Sequence, residues 1–206
     1  PVDVRLEAFN PLVPADLDAS GRPAAVLRYV VINKTAAPVK VSLCATIPNF
    51  IGNDGATTAP GPKKNRNEYR SDERLRGIFM RSEGVDPASE TWGTMAVAAA
   101  ASTRGTYRTN WLKAEWGTTL LDFWDDFSRD GALEARPDAG EDMPFSSLTV
   151  EVDVPPSGSV PVTFIIGWHF PNRLTWTPKK DAAEAVLGNY YTTLWPDAWR
   201  VVEGLA

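Results

Sequence analysis

The sequence predicts a mostly β protein: a supersandwich-like antiparallel β-sandwich with one or two inserted helices. Three observations predict it. Short runs of alternating apolar and polar residues recur along the chain, separated by Gly, Pro and Asn turn signals. The 17 prolines and 15 glycines are dispersed, which marks many turns and not a disordered tract. No strand–helix–strand rhythm runs through the chain, so a doubly wound nucleotide-binding fold is excluded.

The elements follow in order. Val2, Val4 and Leu6 alternate with Asp3, Arg5 and Glu7, the period of a half-buried strand, and Asn10-Pro11 and Val13-Pro14 break it. Ala24–Ile32 is a β-branched run ending at the turn signal Asn33-Lys34-Thr35, and Val39–Ile47 reads as its hairpin partner, with Val39, Val41, Leu43 and Ala45 on one face. Residues 51–70 hold GNDG, PGP and KKNRNEYR with almost nothing apolar, and read as a mobile loop. Leu75–Arg81 reads as a strand. Trp92–Ala101 reads as a buried strand of small side chains, and Thr106–Trp116 as a further strand edge.

Thr118–Leu133 is the best helix. Thr118 or Thr119 would cap it, Gly131 would end it, and Leu120, Trp124 and Phe127 share a face. Residues 135–143 form a polar loop. Ser147–Val154 and Ser159–Phe170 are strands split by PPSG, the second with Val160, Val162, Phe164, Ile166 and Trp168 on one face. Asp181–Leu187 reads as a short helix, and Tyr190–Val202 as irregular or helical.

Composition narrows the function classes. A net charge of −5 with both signs interspersed lacks the basic stripe of a nucleic-acid surface and any polybasic signal for anionic lipid. No apolar run reaches the roughly 18 residues of a spanning helix, so no transmembrane segment is expected. The lone Cys44, inside VKVSLCATI, reads as a small buried hydrophobe; the lack of disulfides leans toward an intracellular protein. The chain starts at Pro1, directly in a strand-like run, and reads as a fragment of a longer protein.

Few residues offer chemistry. His169 is the sole histidine, so any Ser-His-Asp or Cys-His arrangement would need it, and a His-based metal site is excluded. Asp122, Asp125 and Asp126 are an acidic group of the kind glycoside hydrolysis uses in pairs. They lie on one helix, with Asp122 and Asp126 at i,i+4 on a face turned away from Trp124, and read as a solvated face. Glu141-Asp142 and the Lys63–Arg66 cluster sit in loops. No catalytic residue, cofactor or metal is assigned.

The densest signal lies between Gly167 and Arg200, where Trp168, Phe170, Trp176, Tyr190, Tyr191, Trp195 and Trp199 gather beside Asn172, Arg173 and Asp197. Such aromatics cluster where one side is packed and the other wet. WHFPNR followed by GNYYTTLWPDAW resembles the end of the N-terminal domain of family 116 glycoside hydrolases, relatives of non-lysosomal glucosylceramidase and bile-acid β-glucosidase. Pro1–Asn33 resembles the entry of that family's N-terminal domain and Trp124–Leu133 its middle. The resemblance implies a β-sandwich N-terminal domain over residues 1–206, lacking opening strands before Pro1, with residues 185–206 leading toward a downstream (α/α) helical-barrel catalytic domain. It also implies a glycoside or glycolipid substrate for the full-length protein, and catalytic carboxylates on the barrel.

On that basis Trp168, His169, Phe170, Asn172, Arg173, Tyr190, Tyr191 and Trp195 are candidates for an inter-domain surface near the substrate entrance. The alternative for them is ordinary internal packing. The competing functions are a carbohydrate-binding module that stacks exposed aromatics on sugar rings, and a self-contained enzyme with its own carboxylate pair.

Overall fold

A computed structural model describes residues 1–175 and 185–205. Trp176 and residues 181–184 of the expected short helix lie outside the described residues. The rest of that segment is extended: Val186 bridges to Leu174, and Leu187 N–H donates to Arg173 O.

Two antiparallel sheets pack face to face, as expected. The larger runs β1 (Val2–Phe9), β2 (Ala24–Asn33), β9 (Ser159–His169), β6 (Thr94–Ala100), β5 (Leu75–Ser82), β4 (Asn65–Ser71). The smaller runs β3 (Val39–Pro48), β8 (Phe145–Val154), β7 (Tyr107–Arg108). Between them Val162 and Phe164 of β9 meet Leu148 and Val150 of β8. A second cluster joins Ile78, Met80, Met95 and Val97 to the fully buried Ile51.

Ala24–Ile32 and Val39–Ile47 are strands but not a hairpin. β2 pairs with β1 and β9, whereas β3 crosses to the other sheet and pairs with β8. Asn33 builds the corner. Its side chain is buried and its amide donates to Ala37 O, Val154 O and Pro155 O, while its carbonyl accepts from Thr35. A turn signal marks a reversal of direction; it does not say which sheet the chain joins next.

Two further expectations change. Residues 51–70 are not wholly loop, because Asn65–Ser71 is the edge strand β4, paired with β5. An edge strand can face water along its length, so its composition need not be apolar. Of Thr106–Trp116, strand is limited to Tyr107–Arg108.

A helix covers each outer face. α3 (Ala198–Glu203) lies on the larger sheet and buries Ala198, Trp199, Val201 and Val202 against Leu75, Phe79, Ala96, Ala98 and Ile165. The small residues of β6 allow this approach, and Gly167 permits it: a Cβ there would lie 2.7 Å from Val202 Cγ1 and 3.1 Å from Ala198 O. Asp197 caps the helix by accepting from Arg200 N–H at 2.9 Å.

α2 (Thr118–Asp130) covers the smaller sheet. Gly131 ends it in a left-handed conformation, as expected. Its start differs from expectation: Gly117, also left-handed, precedes it without a side-chain cap, and the Thr118 hydroxyl donates back to Glu115 O at 2.6 Å. A four-residue helix, α1 (Leu17–Ser20), is capped by Asp16 in the connection between β1 and β2.

Candidate functional site

The C-terminal candidates grow out of the last residues of β9. His169 pairs with Thr94 of β6, and its ring is nearly buried. Its Nε2 lies 2.9 Å from Trp195 O; a carbonyl only accepts, so Nε2 carries the proton. Burial pushes the imidazole below its ordinary pKa, partly offset by that hydrogen bond, so His169 is neutral near pH 7.

Tyr191 closes the next loop. Its hydroxyl donates to Phe170 O at 3.0 Å and accepts from Phe170 N–H at 3.1 Å, and the Asn189 amide donates to the same carbonyl at 2.8 Å. Phe170 stacks on Phe50. The Asn172 amide donates to Pro87 O and Ser89 O. Trp195 is half-buried beneath the Arg22 guanidinium, 4.7 Å from its centroid, and Arg22 also donates to Val201 O. Trp168, half-buried, sits opposite Met95. Arg173 and Tyr190 stand exposed, with the Tyr190 hydroxyl donating to Asp18 at 2.7 Å.

The structure thus brings His169, Phe170, Tyr191 and Trp195 into one bonded cluster. It ties Asn172 to the 87–89 loop and leaves Arg173 and Tyr190 on the surface. The cluster can hold the C-terminal segment to the sandwich. Its histidine is committed to a backbone carbonyl.

Two of the three aspartates on α2 are a correction, while Asp125 is exposed as expected. Asp122 and Asp126 do not face water; they point at the sandwich, onto Arg108 of β7, whose side chain is 0% exposed. Arg108 donates to Asp122 at 2.9 Å, to Asp126 at 2.5 Å and, through Nε, to Glu134 O at 2.7 Å. Arg136 grips Asp122 through two nitrogens, and Arg129 reaches the second oxygen of Asp126. The Arg136 hydrogen bond, followed by that of Arg108, holds the Asp122 carboxyl below the usual carboxylate range against the effect of burial. A general acid for glycoside cleavage needs the opposite shift.

α2 turns Asp122, Asp126 and Phe123 inward and other apolar side chains out. Leu120, Leu121 and Trp124 are more than half exposed, and Trp116 just before the helix is 97% exposed. Among the described residues no group of three His, Cys, Asp or Glu gathers as a metal site would require.

Nothing in the sequence pointed to Arg108. The only available signal was the i,i+4 aspartate pair, which also fits a solvated helix face.

The family model described as beta-glucosidase 2, glycosyl-hydrolase family 116 N-term, matches residues 1–206. The chain belongs to this family. Comparison with curated proteins gave no match. The two stretches that carry the resemblance lie in the cluster just described: WHFPNR supplies His169, Phe170 and Asn172, and GNYYTTLWPDAW supplies Asn189, Tyr191 and Trp195. No helix among the described residues is long and apolar enough to cross a membrane.

Proposed function

We propose that this chain is the non-catalytic N-terminal domain of a family 116 glycosidase, and that it packs on a downstream helical-barrel catalytic domain and shapes its active-site side. The observation that carries the reading is the family match along the whole of residues 1–206. The α2 aspartates support it, since both are spent on arginines and Asp122 is shifted away from the needs of a general acid. The full-length reaction is retaining hydrolysis of a β-glucoside or related glycolipid. Arg173 and Tyr190 are the exposed part of the inter-domain surface, the bonded cluster behind them holds it in place, and residues 185–206 lead toward the barrel.

The test is hydrolysis of a chromogenic β-glucoside by the full-length protein and by residues 1–206. Activity in the longer protein alone is the expected result. Turnover by residues 1–206 would overturn the reading. Arg173→Ala with Tyr190→Ala in the full-length protein should lower activity with little change in the folding of the sandwich.

A second reading, a carbohydrate-binding module, has one observation in its favour: Trp116, just before α2, and Trp124, on α2, are both exposed. It requires retardation of the protein in glycan affinity electrophoresis, abolished by Trp116→Ala with Trp124→Ala.

A further inference from the structure

Loops at one end of the sandwich enclose a cavity of about 260 Å³, formed by residues soon after β7, the first turn of α2 and the segment leading into β8. Trp111, Pro144 and Phe145 give it an apolar lining. Trp111 is held from several sides. Phe123 stacks on it at 4.4 Å and 13°, Phe145 lies against it at 5.1 Å and 29°, and its Nε1–H donates to Ser147 Oγ at 2.8 Å. Phe145 still exposes 41% of its surface. The segment before β8 is tied down as well. Asp142 accepts from the backbone N–H groups of Lys63 and Lys64, and Asp138 accepts from Gly140 N–H and from Arg66. The cavity is therefore pre-formed, as small-molecule sites usually are.

Its polar groups come from Asn110, Thr119, Asp138 and Glu141, and what they offer is acceptors. The Thr119 hydroxyl proton is spent on Ala114 O, and the Asn110 amide donates to Thr109 Oγ1. Lone pairs on both side chains and on the two carboxylates remain. The carboxylates bring no net charge, because Asp138 pairs with Arg66 at 2.9 Å and Glu141 with Lys113 at 3.5 Å. An anion would face these acceptors, and a cation would meet carboxylates already neutralised. A neutral ligand with several hydroxyl donors and an apolar C–H face suits both parts of the lining. The volume lies below the roughly 300–1,000 Å³ of sites for drug-sized ligands, so it admits one ring and not a chain.

We propose that this cavity binds one neutral sugar ring, whose hydroxyls donate to Asp138, Glu141 and Asn110 and whose C–H face lies on Phe145. The site uses neither Trp116 nor Trp124. Pro48 pairs with Phe145, Asn49 N–H donates to Pro144 O, and Phe50 stacks on Phe170, so the cavity shares its end of the sandwich with Phe170–Arg173. The choice of a sugar among neutral polyols rests on the reading of this chain as part of a glycosidase.

Fluorine NMR of the full-length protein labelled with fluorotryptophan tests this, with the Trp111 resonance assigned by its loss in Trp111→Phe. The probe is methyl β-D-thioglucopyranoside, a sugar that resists hydrolysis. The expected result is a saturable movement of the Trp111 resonance with a midpoint of order 1 mM. An unmoved resonance at about 100-fold excess over that midpoint would overturn the proposal. Glu141→Leu should raise the midpoint at least about 10-fold, and an unchanged midpoint removes Glu141 from the site and sinks the proposed recognition. Ala139→Leu fills the cavity from an exposed position and keeps every polar group, so it should abolish the movement; a full response there places the sugar elsewhere. Glucuronate should bind at least about 10-fold more weakly, and equal binding overturns the neutral class. Trp116→Ala with Trp124→Ala should leave the curve in place, and its loss would assign the sugar to the outer face of α2 instead. The readout is a resonance within the cavity and not turnover, so this proposal and the accessory-domain reading fail separately.

Discussion

The two helices that cover the sandwich meet their sheets in opposite ways. α3 turns four buried residues, three of them aliphatic and one Trp199, onto an apolar surface of alanines, a glycine, Leu75, Phe79 and Ile165. α2 turns two aspartates onto a fully buried arginine and keeps Leu120, Leu121 and Trp124 outside. The first seam is held by close packing, which degrades gradually with lost area. The second adds, to the buried Phe123 stacked on Trp111, charges taken out of water, which are tolerated only while each keeps its partner. Amphipathicity therefore does not by itself tell which side of a helix faces the core.

The largest expected effect breaks the charged seam. Arg108→Met leaves Asp126 buried without its main partner and should cost about 3–5 kcal/mol in urea unfolding. Adding Asp126→Leu should recover much of that loss, since replacing both partners removes the orphaned charge. If the single substitution proves harmless, the seam is not held as described.

The packed seam has its own single-atom test. Gly167→Ala places a methyl against Val202 and Ala198, and overpacking of this kind costs about 1–3 kcal/mol. Loss of the α3 amides' exchange protection should accompany it.

Acid should separate the two regions further. His169 lies beside the C-terminal segment with its folded pKa lowered by burial, so the folded state binds its proton less readily than the unfolded chain. Its contribution is complete above the unfolded value of about 6.5 and is lost as pH falls below it. Asp122 is lowered as well, but as a carboxylate; its contribution is present above about pH 4 and lost as pH falls below that. Thermal melts should weaken first in the upper window and again in the lower. His169→Gln, which keeps a donor for Trp195 O, should erase only the upper step.

The smallest effect is at the outward face of α2. Leu120→Ser and Trp124→Ser in residues 1–206 should each change stability by no more than about 0.5 kcal/mol, as exposed positions do. A larger loss would mean that this face packs against something within the chain.

Strand periodicity made most of the sheet legible before any coordinates: β1, β2, β5, β6, β8 and β9 all lie where alternation or a small-residue run put them. What escaped depends on distant partners. The destination of Val39–Ile47 is set by the Asn33 corner and by Thr149 and its neighbours, more than a hundred positions away. β4 carries edge-strand chemistry that looks like loop. The orientation of α2 is set by one arginine on a two-residue strand. The C-terminal candidates were legible as a group because their motif is local, and His169, Phe170, Tyr191 and Trp195 do come together. That Asn172 would be spent on the 87–89 loop was not, because those acceptors are backbone carbonyls with no signature in side-chain identity.

The place of β9 has a consequence for how the molecule is made. Among the described residues it lies between β2 and β6 and is the only strand joining the amino-terminal pair to the β4–β5–β6 meander. The ribosome delivers it after every other described strand of that sheet, so until then the two parts it joins are separate, each with an open apolar flank. Contacts this far apart in sequence close slowly, and exposed edges in the interval invite mispairing. A nascent chain halted before Ser159 should therefore be a chaperone client, and release of β9 should be the step that commits it to the native fold.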